Sequence, residues 1–294
     1  MTSTAAIAIA RDPGSLATVL APWRESGCKI AFVPTMGALH DGHLSLIQEA
    51  QARADRVVVS VFVNPRQFGP NEDFGTYPRT EDEDVAKIAR AEGDVVYLPS
   101  VEVMYPAGYQ TSINVGDVPV PLDGASRPGF FDGIATVVTK LFNQVKPDLA
   151  VFGEKDFQQL LVIRRLVTDL NLPIEIIGAP IIREADGLAM SSRNRYLSPE
   201  ERQIAGHLNQ IMRSTLARLA EGEPLDDVLS GARDDLEACG LAPIDYFELR
   251  RIPDLSAVSI ARLSATELGS VRLFAAVMLG RTRLIDNMGF NVPR

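Results

Sequence analysis

Short apolar runs alternate along this chain with stretches whose apolar residues recur at helical spacing. Ile30-Ala31-Phe32-Val33, blocked by Pro34, reads as a buried parallel strand. Beyond it, Leu44, Leu46, Ile47 and Ala50 mark one face of a helix that Asp41 or Gly42 can open. Residues 57–63 (Val-Val-Val-Ser-Val-Phe-Val) form the clearest buried strand, ended by Asn64-Pro65. A polar loop, 66–79, leads to Thr80 and Glu83, whose capping-box spacing opens a helix to about residue 92. Residues 95–98 read as a strand stopped by Pro99, and the proline- and glycine-rich stretch 116–133 reads as a loop. The pattern then predicts a helix over 134–146, a strand over 149–152, a helix over 157–170, and strands at 174–177 and 181–182. Such alternation predicts an α/β fold, a Rossmann-like parallel sheet with helices on both faces, in which ligands bind beyond the carboxyl ends of the strands.

The pattern changes near residue 184. Ser198-Pro199-Glu200-Glu201 is a helix start, with serine as cap and proline in the first turn. A long amphipathic helix is expected to about Leu219, then a second one ending at Cys239-Gly240. Residues 244–249, 271–278 and 282–285 read as strands. The expected organisation is a Rossmann-like domain over 1–184 and a smaller α+β domain over 185–294, placed to act as a lid.

At 294 residues, 46% apolar and 23% charged, the chain has an ordinary globular composition with room for a substantial core. Its 29 basic and 38 acidic residues give a net charge of −9, which argues against a nucleic-acid partner. A small anionic substrate is compatible with that balance, because a local positive pocket can sit in an acidic protein. Cys28 and Cys239 lack metal-ligand spacing, so reduced thiols in the cytoplasm are expected. No apolar run reaches membrane-spanning length, and residues 5–10 lack the basic lead-in of a signal peptide.

Three segments carry chemistry. Two of the chain's three histidines, His40 and His43, flank Asp41-Gly42 directly after the first strand. This places His43 in the first helical turn, where unpaired N–H groups and the macrodipole favour an anion. Gly37 and Gly42 would let a phosphate approach the backbone. At a later strand-to-helix turn, Gly153-Glu154-Lys155-Asp156 offers a glycine, a point charge and a helix start. Near the expected domain junction, Met190-Ser191-Ser192-Arg193 supplies two hydroxyls and a guanidinium fork for phosphate oxygens.

Together with Phe62-Val63-Asn64-Pro65, Gln67-Phe68-Gly69, Tyr77-Pro78-Arg79-Thr80 and Arg183-Glu184-Ala185-Asp186-Gly187, these segments resemble the pantoate–β-alanine ligase family of the HxGH nucleotidyltransferase-like superfamily. The likeness runs in the family's order to about Leu197. It implies a cytoplasmic homodimer that uses ATP and Mg2+ to condense (R)-pantoate with β-alanine through a pantoyl adenylate. It implies an ATP site formed by Met36, Gly37, Ala38, Leu39, His40, Asp41, Gly42, His43, Gly153, Glu154, Lys155, Asp156, Ile182, Met190, Ser191, Ser192 and Arg193. Among these, His43 and His40, with Lys155, Ser191, Ser192 and Arg193, are the expected catalytic groups. Gln67 and Gln159 match the family's pantoate-contacting glutamines, and Asp84 is an expected magnesium ligand. One stretch departs from the family: Arg127-Pro128-Gly129-Phe130-Phe131-Asp132-Gly133 carries Phe130 and Asp132 where a histidine and an arginine are usual.

Overall fold

The computed structural model describes residues 7–70, 72–259 and 261–290; residues 5 and 6, part of the stretch read above for a leader, lie outside them. The chain divides into two compact units. One gathers the described residues of Met1–Pro119 with Arg127–Glu154 and Gln158–Pro180; the other gathers Val120–Ser126, Lys155–Phe157 and the described residues of Ile181–Arg294. The expected boundary after residue 184 compares with a change after Pro180, and two short segments of the first half belong to the second unit.

The first unit is built on a six-stranded parallel sheet of β1 (Ala8–Ala10), β2 (Ile30–Thr35), β3 (Arg56–Val61), β4 (Val95–Tyr97), β5 (Leu149–Gly153) and β6 (Glu175–Ala179), in spatial order β1-β4-β3-β2-β5-β6. Helices α1 (Pro13–Glu25), α2 (Asp41–Gln51), α3 (Glu81–Arg90), α4 (Val101–Met104), α6 (Phe130–Val145) and most of α7 (Phe157–Asp169) belong to this unit. Val57, Val58 and Val59 are buried, as continuous apolar runs in a two-sided parallel sheet must be. Strand order reverses between β2 and β5, so the loops leaving these two strands flank the topological switch point where such sheets bind ligands.

Several elements differ from expectation for local reasons. The first sheet edge, β1, and helix α1, capped reciprocally by Asp12 and Ser15, were not anticipated. The stretch 116–133 is not all loop: it holds the short helix α5 (Asp123–Ser126) and the start of α6, where Gly129 takes the left-handed conformation at the N-cap. Thr80 does not form a capping box with Glu83, because its hydroxyl donates to Asp84 instead. Residues 181–182 do not continue the sheet, since Pro180 ends β6 and has no N–H to give.

In the second unit, the expected long helix is two: α8 (Pro199–Ala205) and α9 (His207–Ala220). They part at Gly206, where a Cβ would lie 2.7 Å from the Asp186 carboxylate, so the 186 turn needs that close approach. With α10 (Leu225–Ala238) and α11 (Ala265–Leu268), these helices accompany an antiparallel sheet of β7 (Ile244–Arg251), β8 (Val271–Leu279) and β9 (Thr282–Gly289). Leu208, Met212, Val228, Phe247 and Leu273 are among the side chains that fill its core.

Candidate active site

The β2–α2 turn folds around its own histidines. His40 is the N-cap of α2 and His43 its third residue, so the HxxH spacing is that of a capping box. The His40 ring accepts the Gly42 N–H at Nδ1 (3.2 Å), and the His43 ring accepts the His40 N–H at Nδ1 (3.3 Å). The hydrogen-bond network therefore assigns the proton of each neutral imidazole to Nε2, making both rings donors on that edge. The rings lie 4.1 Å apart between centroids and are tilted by 49°. Asp41, the first residue of α2, is exposed.

The preceding three residues are buried and held from outside. Gly37 has φ +86°, and a Cβ there would lie 3.0 Å from both Asp84 and Val61; Ala38 is left-handed too, at φ +51°. Buried Asp84, on α3, accepts the Ala38 N–H on one oxygen and the Leu39 N–H on the other, both at 2.8 Å, besides the Thr80 hydroxyl at 3.0 Å. Lys87, one turn further along α3, donates to the Leu39 carbonyl at 2.8 Å. The amides of Ala38 and Leu39 thus point at a carboxylate rather than outward, and Asp84 reads as a brace for the turn. The resemblance makes Asp84 an expected magnesium ligand; here each of its oxygens accepts a backbone N–H, and among the described residues no group of three or more His, Cys, Asp or Glu side chains is placed to hold a metal ion.

The loop after β3 is organised by Asn64. This buried amide uses its whole capacity: the oxygen accepts the Arg66 N–H (3.2 Å) and the Tyr105 hydroxyl (2.8 Å), while the nitrogen donates to Gln67 Oε1 (3.0 Å) and the Gly133 carbonyl (3.2 Å). Burial pushes the Tyr105 phenol well above its ordinary range, so its hydroxyl stays protonated and donating. Gln67, held from its oxygen by Asn64, donates from its nitrogen to the Met36 sulfur at 2.9 Å. Gly133 allows this packing: a Cβ there would sit 2.1 Å from the Arg66 carbonyl oxygen.

The departing segment braces the same loop. Arg127 grips Glu72 through two hydrogen bonds (2.7 and 2.6 Å) and donates to the Gln67 carbonyl at 3.2 Å. Its guanidinium carbon lies 3.5 Å from the centre of the Phe130 ring, a stacked cation–π contact. Asp132 accepts from Asn114 at 3.0 Å. Phe130 therefore serves here as a platform for Arg127.

Gly153 ends β5, and Glu154, Lys155 and Asp156 make a single 3-10 turn before α7. Gln159 is half-buried in the first turn of α7. Within the second unit, residues 182–190 double back as a tight hairpin in which the Met190 N–H donates to the Ile182 carbonyl at 3.0 Å. Ser191 follows directly, caps the 3-10 turn Ser192–Tyr196 and accepts the Arg193 N–H at 3.3 Å; Ser192 is buried. Gln67 thus touches Met36, and His40 pairs with His43, all in one unit, while Ile182, Met190, Ser191, Ser192 and Arg193 follow one another along one short structure in the other. Asn64, Lys87 and Arg127 were not singled out by the sequence as positioning groups. The signal available for Asn64 was an amide at the carboxyl end of the most apolar strand.

A parallel sheet that delivers an HxGH helix start to its switch point defines an α/β protein with a candidate ligand site at the head of α2. The model of one family, pantoate-beta-alanine ligase, matches residues 8–289, and the chain belongs to that family. The pantothenate synthetase of Rhodospirillum rubrum is 52% identical over 284 residues, covering 97% of this chain and 99% of the relative. A crystal structure of the Thermus thermophilus pantothenate synthetase superposes with a TM-score of 0.89 at 41% identity, covering 96% of this chain and 99% of that one. The Francisella tularensis pantoate-beta-alanine ligase, complexed with beta-gamma ATP and beta-alanine, gives 0.79 at 35% identity over 97% and 98% of the two chains.

Proposed function

We propose that this chain activates pantoate with ATP and passes it to β-alanine, releasing AMP and pyrophosphate. The observation that carries the reading is the 2.9 Å contact between Gln67 and Met36, which sets the glutamine matched to the family's pantoate contact against the turn matched to its nucleotide site. Adenylation needs that adjacency, because the acid must approach the α-phosphate within a near-attack distance.

In the first step a pantoate carboxylate oxygen bonds to the α-phosphorus while the bond to the pyrophosphate oxygen breaks. Charge accumulates on the phosphate oxygens, and the Nε2–H edges of His40 and His43 supply donors where it grows. Removing one such donor costs about 3 kcal/mol of barrier, roughly a hundredfold in rate. Lys155, Ser191, Ser192 and Arg193 are the further phosphate contacts in this reading, with Gly153, Glu154, Asp156, Ile182 and Met190 toward the nucleoside. Gln67 and Gln159 orient the acid through neutral amides. A guanidinium in their place would stabilise the ground-state carboxylate and blunt it. In the second step the β-alanine amine attacks the mixed anhydride's carbonyl, the acyl–oxygen bond breaks, AMP leaves and the amine sheds a proton.

Magnesium is implied by the resemblance. Among the described residues no group of three or more His, Cys, Asp or Glu side chains is placed to cage it, and in this reading triphosphate oxygens and water would be its main partners. The resemblance further supports a homodimer, and the two free cysteines accord with a cytoplasmic setting. Among the described residues no helix is long and apolar enough to cross a membrane.

The test is pantoate-dependent exchange of pyrophosphate into ATP without the amine. Exchange, with a pantoyl adenylate recovered from the quenched enzyme, is the expected result. A nucleotidyltransferase that stops after moving AMP to a phosphate ester would give none on a plain carboxylic acid, and that outcome would overturn the reading.

A further inference from the structure

We infer that Asp286 and Asn287, neighbours on β9, are positioning residues that together hold Lys155 and the hairpin leading to Ser191, Ser192 and Arg193. The inference rests on the functional reading above for what those four side chains do.

The strand itself shows the anomaly. Along β9 burial alternates from Thr282 to Ile285, as a half-covered strand requires, and then Asp286 and Asn287 are both buried. Successive side chains of a strand leave on opposite faces, so two polar residues are kept from water on two different sides. Buried polar groups of this kind must be bonded, and a buried carboxylate must be paired.

Asp286 is paired with Arg183 in a two-point fork of 2.6 and 2.9 Å. The same guanidinium donates to the Gly187 carbonyl at 2.9 Å, across the tip of the 182–190 hairpin. The hairpin is closed from within by Glu184 N–H to the Leu188 carbonyl (2.8 Å), and its tip needs Gly187 at φ +93°. Arg183 is thus the pin of the hairpin and Asp286 is what fixes the pin. Asn287 works on the other segment. Its amide nitrogen donates to the Lys155 carbonyl at 2.8 Å, and its oxygen accepts from Arg272 at 2.5 Å. Arg272 in turn lies 4.0 Å over the ring of Phe157, two residues beyond Lys155. One dipeptide therefore sets the backbone of two segments that lie almost thirty residues apart in sequence and that both carry proposed phosphate contacts. Asp286 acts through Arg183 and Asn287 through the Lys155 carbonyl.

The test uses Asp286→Asn and Asn287→Leu in the full chain, reading nucleotide affinity by calorimetry, pantoate KM, and amide exchange over 154–157 and 183–193. The expected result is a tenfold or greater loss of ATP affinity, with pantoate KM within twofold of the parent and faster exchange in the segment each residue holds. Asp286→Glu, which keeps the charge, should recover part of the loss that Asp286→Asn causes. Wild-type ATP affinity and exchange in both folded variants would overturn the inference. So would a fall in melting temperature alone, or an equal loss for ATP and pantoate, since a general structural role predicts those. Should Asn287→Leu fail to fold, Asp286→Asn, which matches the native side chain in shape, decides. If the parent protein shows no pantoate-dependent exchange, the functional reading fails on its own, while ATP affinity and amide exchange still judge the role of the dipeptide.

Discussion

Replacing Asp84 by asparagine separates a brace from a metal ligand. In the folded protein its two oxygens each accept one backbone N–H, from Ala38 and Leu39, and one oxygen also takes the Thr80 hydroxyl. Asparagine keeps one acceptor and turns a donor toward the other N–H. An unsatisfied buried donor costs about 1–3 kcal/mol. For a unit of this size each kcal/mol lowers the melting temperature by about 2–4 °C, so the expected fall is about 2–12 °C. Asp84→Ala orphans both N–H groups and should lose about 2–6 kcal/mol, a large part of a typical domain's stability. The displaced turn carries His40 and His43 with it, so turnover should fall at saturating magnesium while the apparent magnesium affinity stays close to the parent's. Calorimetry and a magnesium titration of the exchange reaction read the two effects separately. An Asp84→Asn protein that melts with the parent and needs much more magnesium would refute this reasoning.

His40→Asn keeps an excellent N-cap but removes the imidazole donor, so stability should hold within about 0.5 kcal/mol by urea unfolding while adenylation slows about a hundredfold. Phe130→Ala removes the ring stacked on Arg127, a contact worth about 0.5–2 kcal/mol. It should raise pantoate KM severalfold with kcat nearly unchanged, as steady-state kinetics will show. Asp186 is held below the usual carboxylate range chiefly by its hydrogen bond from Arg202. A depressed folded pKa gives stability that is complete above the unfolded value near 3.9 and is lost as pH falls through the folded one. Because that side chain is 35% exposed, screening keeps the effect below about 1 kcal/mol, and Arg202→Ala should remove it from the acid limb of a stability–pH curve.

The strands β2, β3, β4 and β5 were legible because each is a short apolar run ended by proline or glycine, and a parallel sheet leaves no polar alternation to confuse the reading. Three departures from the sequence pattern have identifiable physical causes. Thr80 and Glu83 have the spacing of a capping box, but the hydroxyl found a better acceptor in Asp84, itself fixed by a turn some 45 residues earlier. Gly206 interrupts the long helix because Asp186 packs against it, a contact that helical periodicity does not contain. The stretch 116–133 is rich in proline and glycine yet holds helical turns, since Gly129 is there to cap α6 rather than to break it. At the site, HxGH announced an anion-binding helix start. It did not announce that its spacing is that of a capping box, nor that the turn's inner amides belong to Asp84.

The supports of the proposed site share a physical logic. Asn64 and Asp84 in one unit, and Asn287 in the other, are buried polar side chains whose partners include the backbone of another segment. In a core between regular elements, a buried ionic or polar pair can often be exchanged for apolar residues with little loss, because both partners leave together. That exchange is not open here. The partners at Ala38, Leu39, Gly133 and Lys155 are main-chain groups, which no substitution removes. Ala38 and Leu39 in particular sit outside any helix or strand that could bond them internally. A turn bent to set two imidazoles side by side leaves buried amides that only a side chain from elsewhere can satisfy. Asp84→Leu should therefore destabilise at least as much as Asp84→Ala despite its better fit to an apolar interior, with urea unfolding as the measure, and a leucine variant more stable than the alanine one would show that the two amides find water instead.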